Sequence, residues 1–202
     1  MIRIGITLNI KKYYNGYIDF IDHYWLKIFE KKKIDFNLIP NTNFSSQKIF
    51  KKINLLILTG GNDIYSNRKE SKIRNKVELN LIKLAIKYKI PIIGICRGAQ
   101  LINIFFGGKI RRVKNHMRTR HNISNIKNPI FKNKKLNVNS FHSYGIGAKD
   151  ISKKLNIIAL DNKKNIEMFI SKDKKIIGTM WHPEREKDTK LLDKLINYLK
   201  KN

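Results

Sequence analysis

The run Pro91-Ile92-Ile93-Gly94-Ile95-Cys96-Arg97-Gly98-Ala99-Gln100 dictates a strand, a sharp turn and the opening of a helix, in that order. Its apolar half is short and rich in isoleucine, which suits a buried strand. Glycines two places either side of Cys96 give the G-x-nucleophile-x-G spacing of a nucleophile elbow, with Cys where Ser is more familiar. Lacking Cβ atoms, Gly94 and Gly98 let the backbone turn tightly and hold the middle side chain out toward a substrate. A helix that begins just after Cys96 sets its positive dipole end beside the sulfur and favours the thiolate. Far downstream, Trp181-His182-Pro183-Glu184 supplies an imidazole with a carboxylate two residues on. Together these residues point to thiol chemistry on an acyl group, with His182 as proton acceptor and Glu184 orienting its ring.

Strand-like runs alternate with amphipathic segments through the first half of the chain. Residues 2–8 read as a first strand and residues 17–31 as a helix. Residues 36–39 and 55–58 are further buried strands, followed by the turn residues Pro40-Asn41 and Gly60-Gly61-Asn62-Asp63. Residues 70–89 carry Val77, Leu81, Leu84, Ala85 and Tyr88 at helical spacing. Residues 90–95 form the next strand, and 97–106 a helix ended by Gly107-Gly108. This alternation predicts an α/β fold, an open and mostly parallel sheet with helices on both faces. Beyond Lys109 come short β-prone runs at 137–139, 155–160, 166–170 and 176–180, then an amphipathic helix at 188–198. No repeat or Pro/Gly/Ser-rich linker interrupts the sequence, so one domain is expected over residues 1–202. Ligands of open α/β sheets bind outside the carboxyl ends of the strands. Gly60-Gly61, Cys96 and His182 each follow a strand candidate, so one sheet edge should collect them.

Charge is the outlier in composition: 43 Lys and Arg against 15 Asp and Glu leave a net +28. Such a balance raises nucleic acid, a membrane surface or an anionic small molecule as partners. The basic residues are mostly Lys, dispersed among Ile and Asn, without a recognition helix or an aromatic–basic RNA motif. Scattered surface Lys accounts for most of the excess, and neither a nucleic-acid nor a membrane partner is expected. No apolar run approaches the ~18 residues of a membrane span, and the first residues lack a signal-peptide layout. The lone Cys96 rules out an internal disulfide and suits a reducing compartment, so a cytoplasmic location is expected.

A denser cluster of cations follows Gly108: Lys109, Arg111, Arg112, Lys114, His116, Arg118, Arg120 and His121. One reading gives Arg118 and Arg120 an anionic leaving group to hold, since Arg pairs bidentately with phosphate oxygens. The other is a solvated edge strand whose cations discourage sheet-edge association. His116, His121 and His142 have neither a Cys pair nor a carboxylate set nearby at ligand spacing, which argues against a metal site. No cofactor is expected.

Five stretches carry a wider resemblance: Leu58-Thr59-Gly60-Gly61-Asn62-Asp63, the run from Gly94 to Asn103 with Gly107-Gly108, Val138-Asn139-Ser140-Phe141-His142, Asn165-Ile166-Glu167, and Gly178-Thr179-Met180-Trp181-His182-Pro183-Glu184. In this order they resemble the class I glutamine amidotransferase superfamily, above all its stand-alone hydrolase branch, represented by γ-glutamyl-γ-aminobutyrate hydrolase. The resemblance implies a flavodoxin-like fold and a Cys-His-Glu triad that cleaves a γ-glutamyl amide through a γ-glutamyl thioester. Carried onto this chain, it makes Cys96 the nucleophile, His182 the base and Glu184 its orienting partner. Gly61 and Arg97, beside Gly60, become backbone oxyanion donors. Gln100 with Phe141, His142 and Ser143 would hold the α-amino and α-carboxylate ends of the glutamyl group.

In size and motifs the chain is also similar to small hydrolases that release glutamate from γ-glutamyl-CDP-amidate, making the phosphoramidate donor for capsule decoration. That likeness implies a small, nucleotide-linked γ-glutamyl substrate. A hydrolase of γ-glutamyl amines, or a glutaminase subunit handing ammonia to a separate synthetase, is the alternative. The loop after Gly60-Gly61 is shorter than in many members of the hydrolase branch, and the segment after Gly108 is compact and unusually basic.

Overall fold

The structure is a computed structural model, and it describes residues 2–42, 46–125, 129–131 and 135–201. The chain runs through β1 (Arg3–Thr7), β2 (Asn9–Tyr13), β3 (Gly16–Phe20), α1 (His23–Lys32), β4 (Asp35–Ile39), α2 (Ser46–Phe50), β5 (Leu55–Leu58), α3 (Lys69–Lys87), β6 (Ile92–Ile95) and α4 (Arg97–Phe105). It continues through β7 (Arg111–Arg112), β8 (Thr119–Asn125), β9 (Lys135–Ser140), β10 (Tyr144–Gly147), β11 (Leu155–Asp161), β12 (Asn165–Ser171), β13 (Ile176–Thr179) and α5 (Lys190–Lys201).

The main sheet has the order β4-β1-β5-β6-β13-β12-β11-β8-β9. From β4 to β13 every neighbour is parallel, and from β13 to β9 every neighbour is antiparallel. The α/β alternation of the first half thus builds the parallel part, and the β-prone second half extends it. Both faces of the parallel part are covered. Leu55 and Ile57 pack with Trp25 and Phe29 of α1 and Leu192 and Leu195 of α5. Leu56 and Leu58, pointing the other way, pack with Leu81 and Ile82 of α3 and Leu101 and Ile102 of α4. Burial on both sides is why these strands are continuous apolar runs and not alternating ones. Among the described residues no helix is long and apolar enough to cross a membrane.

Several elements depart from expectation, β2, α2 and β10 among them, which were not expected. The helix expected over 17–31 opens as strand: residues 17–20 lie in β3, which pairs antiparallel with β2, and α1 begins only at His23. Asp22 sets that boundary, its carboxylate accepting the Tyr24 N–H at 3.1 Å as an N-cap. The apolar residues of β3 and α1 fall at mixed spacings, so hairpin and helix read as one amphipathic run. The basic segment fits the solvated edge strand of one reading only in part: β7 is exposed and pairs with β10 alone, and Thr119–Asn122 of β8 pair with β9 alone, but Ile123–Asn125 are hydrogen-bonded to β11 as well.

Candidate active site

The parallel register of β6 and β13 aligns Ile95 with Thr179, so the residues that follow both strands emerge at one edge. The Cys96 N–H donates to the Thr179 carbonyl at 2.7 Å, and the Gln100 N–H donates to the Cys96 carbonyl at 3.0 Å as α4 starts. The strained residue of this elbow is Cys96 itself, at φ 49°. A left-handed φ on a residue with a Cβ costs on the order of 1 kcal/mol and persists only when its surroundings enforce it. The flanking glycines act by making room. A Cβ on Gly98 would stand 2.3 Å from the Leu58 carbonyl oxygen, and one on Gly94 would stand 2.7 Å from the Gly98 backbone. Their absence lets α4 close onto β5 and β6 and forces the turn at the cysteine.

His182 donates from Nδ1 to Glu184 Oε1 at 2.7 Å, both side chains buried. A 3-10 turn over Pro183–Arg185 folds the carboxylate back beneath the ring. Asn139 holds the backbone here from both sides. It accepts the His182 N–H at 2.9 Å and donates to the His182 carbonyl at 2.8 Å. Gly60 leaves space for the imidazole, because a Cβ there would meet His182 Cε1 at 2.5 Å. Phe141 packs against the same ring edge-on, with centroids 5.6 Å apart. Burial pulls the His182 pKa down, yet the charges of Glu184 and Cys96, and hydrogen bonds to both, raise it to about 10.

A cavity of about 230 Å³ opens over Cys96, and Gly61, Arg97, Gln100, Phe141, His142, Ser143 and His182 share its wall. Gly60 and Glu184 face an adjoining cavity on the other side of His182. Gln100 donates to the Tyr144 carbonyl at 2.7 Å, tying α4 to the opposite wall. Arg118 and Arg120 are not brought to this wall, to which the basic segment contributes Met117. Arg118 is exposed, and Arg120 already donates to Asn137 and, at 3.0 Å, to Glu186.

Beneath the elbow lies a buried charge network that the sequence did not announce. Arg74, fully buried, donates to the Thr59 carbonyl at 2.9 Å, the Gly60 carbonyl at 3.1 Å and Asn9 Oδ1 at 2.6 Å. Glu78 accepts from Thr7 Oγ1 at 2.7 Å, from Arg74 Nε at 3.0 Å and from Arg97. Arg97 therefore sends its guanidinium into the interior while its backbone faces the cavity. Burial lowers the Arg74 pKa to about 10 against the pull of Glu78. Burial pushes Glu78 upward, but the Arg74 and Arg97 charges and hydrogen bonds from Thr7 and Arg97 hold it below its ordinary value. At i, i+4 spacing Arg74 and Glu78 read as a solvent-facing helix pair. The signal that finds them is the series Ser71, Arg74, Glu78, Leu81, Ile82 and Ala85, which is the face α3 buries. The expected face was rotated from it, since Val77 and Leu84 are only half-buried and Tyr88 is exposed.

The expectation that no carboxylate stands near the histidines is also corrected, because neighbours along the chain are not the only ones in space. β12 brings the buried Glu167 to 3.6 Å from His116 Nδ1, 3.4 Å from His121 Nε2 and 3.8 Å from His142 Nε2.

The peptidase C26 family model matches residues 4–184. The gamma-glutamyl-CDP-amidate hydrolase of Campylobacter jejuni is 36% identical over 168 residues, covering 80% of this chain and 78% of that protein. The glutamine-hydrolyzing GMP synthase subunit of Methanococcus vannielii is 30% identical over 148 residues, covering 73% of this chain and 72% of that one. Among solved structures, a glutamine amidotransferase from Thermotoga maritima has a TM-score of 0.69 at 19% identity over 99% of this chain and 83% of its own, and so shares the fold. The chain belongs to the peptidase C26 family, of class I glutamine amidotransferase type, and is an amide hydrolase.

Proposed function

We propose that the chain is a cysteine-dependent γ-glutamyl hydrolase in which Cys96, His182 and Glu184 form the catalytic triad. The observation that carries this reading is the His182–Glu184 hydrogen bond of 2.7 Å beside a left-handed Cys96 on one cavity. An imidazolium next to the sulfur favours the thiolate. The thiolate adds to the γ-carbonyl carbon, and the oxyanion takes hydrogen bonds from the Gly61 and Arg97 amides. As the C–N bond breaks, His182 gives its proton to the leaving nitrogen and a γ-glutamyl thioester remains. Water then attacks the thioester, His182 takes the water proton, and glutamate leaves as the thiolate reforms. Gln100, Phe141 and Ser143, with the main chain of His142 between them, would hold the amino-acid end of the glutamyl group. The free Cys96 thiol that this cycle needs supports a cytoplasmic setting.

For the leaving half we infer γ-glutamyl-CDP-amidate, with cytidine diphosphoramidate as the product for capsule phosphoramidate synthesis. The likeness to the Campylobacter jejuni hydrolase over most of both chains supports it. Exposed Arg118, next to Met117 on the cavity wall, is free to meet a diphosphate at the rim, whereas Arg120 would first have to leave Glu186. A second reading follows from the likeness to the glutamine-hydrolyzing part of a GMP synthase: glutamine hydrolysis in the service of a separate synthetase.

Glutamate release from glutamine, γ-glutamyl amines and γ-glutamyl-CDP-amidate separates these readings. Fast release confined to the nucleotide compound is the expected result. Release from glutamine alone, rising when a synthetase is added, would replace it with the second reading.

The pH profile of kcat/KM is expected to hold a plateau through neutrality and fall above about pH 10, as His182 loses the proton it must donate. The same shift bears on stability. A group raised from 6.5 to about 10 stabilises the fold fully below pH 6.5, and that contribution is lost as pH climbs to 10. An alkaline limb near pH 7 instead would remove the imidazolium from the resting site.

A further inference from the structure

Three histidines and two carboxylates converge at the wall of the cavity, which His142 lines, and the triad uses none of them. His116 lies in the loop before β8, His121 on β8, His142 just after β9, Asp161 at the end of β11 and Glu167 on β12. His116, His142 and Glu167 are almost wholly buried, and their ligand atoms all lie within 4.8 Å of one another. The hydrogen bonds around the cluster assign the ring protons. His142 Nδ1 lies 2.9 Å from the Tyr144 carbonyl, to which only an N–H can bond, so its Nε2 carries a lone pair. His116 Nε2 lies 3.0 Å from Asp161 Oδ2, which leaves the Nδ1 lone pair turned toward Glu167. Ser140 Oγ gives its proton to the His116 carbonyl at 2.7 Å, so it does not donate to that nitrogen.

Two imidazole lone pairs thus face a carboxylate whose two oxygens accept no hydrogen bond among the described residues. Buried acceptors crowded together repel one another unless a cation stands between them. We propose that His116 Nδ1, His121 Nε2, His142 Nε2 and Glu167 form a closed, structural site for a divalent transition-metal ion of the zinc class. Ligand atoms around tetrahedral zinc lie about 3.3 Å apart, from metal–ligand distances near 2.0–2.1 Å. Glu167 Oε1 stands 3.6 Å from His116 Nδ1 and 3.8 Å from His142 Nε2, and its other oxygen stands 3.4 Å from His121 Nε2, which completes the set by a small side-chain shift. An imidazole majority selects zinc or cobalt over calcium or magnesium. The Asp161 carboxylate and the Tyr144 carbonyl supply the outer hydrogen bonds that fix ligand tautomers at such sites. Bound here, the ion ties β8, β9 and β12 together and pins His142, and with it the Phe141–Ser143 wall of the cavity.

The test uses the full chain carrying Cys96→Ala, which removes the thiol as a competing ligand. After chelator treatment, titration with zinc chloride is expected to give one ion per chain and a Kd below about 1 μM. Zinc at about 100 times Kd is expected to raise Tm by about 5–10 °C. Cobalt(II) should give the visible bands of a tetrahedral nitrogen–oxygen site with no sulfur charge-transfer band. Glu167→Gln is expected to weaken binding at least about 100-fold. His121→Asn, at a half-buried position that can change without disturbing the fold, is expected to weaken it about tenfold or more. Overturning results are a natively folded protein that binds neither ion at tens of micromolar, or equal affinity in both variants. Either would leave a proton, shared between Glu167 and the histidines, as what reconciles the cluster.

Discussion

Replacing Cys96 with Ala is expected to abolish glutamate release, by a factor on the order of 10⁴ or more, while leaving the thermal midpoint almost unmoved. The loss follows from chemistry: without sulfur there is no thioester, and water must attack the amide directly. Removing a covalent nucleophile from a hydrolase triad costs rate on that scale, because the remaining groups act as a unit with it. Stability is largely spared because this buried core residue gives up only its sulfur. It is the turn residue at φ 49°, held by contacts to Thr179 and Gln100 that run through its backbone. Alanine keeps those contacts and tolerates the same φ no worse than cysteine does. Substrate affinity should also survive, since Gln100, Phe141 and Ser143 remain. Unreduced turnover in the variant would sink the mechanism, and a collapsed midpoint would show that the elbow depends on the thiol. Within the triad, Glu184→Gln should cost less than His182→Ala. It removes charge and ring orientation but leaves the base that moves the proton.

How much of this was readable in the sequence depends on how far apart the partners sit. The elbow was legible because glycine spacing, apolar run and helix start all fall within ten residues, 91–100. His182 and Glu184 were legible because a parallel strand must deliver its C-terminal end to the same edge as its neighbour. The buried Arg74–Glu78–Arg97 network was not. Charged residues on a helix are solvated in most proteins, and only the packing of α3 against β5 and α4 turns this pair inward. The gathering of Glu167 with three histidines was equally hidden, since it needs the order β12-β11-β8-β9, which no local pattern encodes. Asn139 stood out by family resemblance alone, and its two hydrogen bonds to the His182 backbone explain why an amide stands there.

Glu78→Gln is the second large effect, and it acts on stability before chemistry. The side chain keeps its shape, and one oxygen can still accept from Thr7, but two buried guanidinium groups lose their counter-charge. Breaking a buried ion pair by removing one partner typically costs about 3–5 kcal/mol, because the remaining charge stays desolvated. That is a large share of a total stability of about 5–15 kcal/mol. The urea midpoint at pH 7 is expected to fall steeply with the slope unchanged, as for a loss of stability without a change in exposed surface. The wild type should show the same dependence in acid. Glu78 has a depressed pKa, so its contribution is present above its ordinary value of 4.5 and is lost as pH falls through the folded value. A drop below about 1 kcal/mol would mean that water reaches the network and screens it. Adding Arg97→Met, which removes one of the orphaned cations, should restore part of the loss, a coupling that a double-mutant cycle measures. Activity per folded molecule should fall as well. Arg74 holds the Thr59 and Gly60 carbonyls, and Arg97 follows the nucleophile, so the charges that balance the interior also aim both amides proposed for the oxyanion.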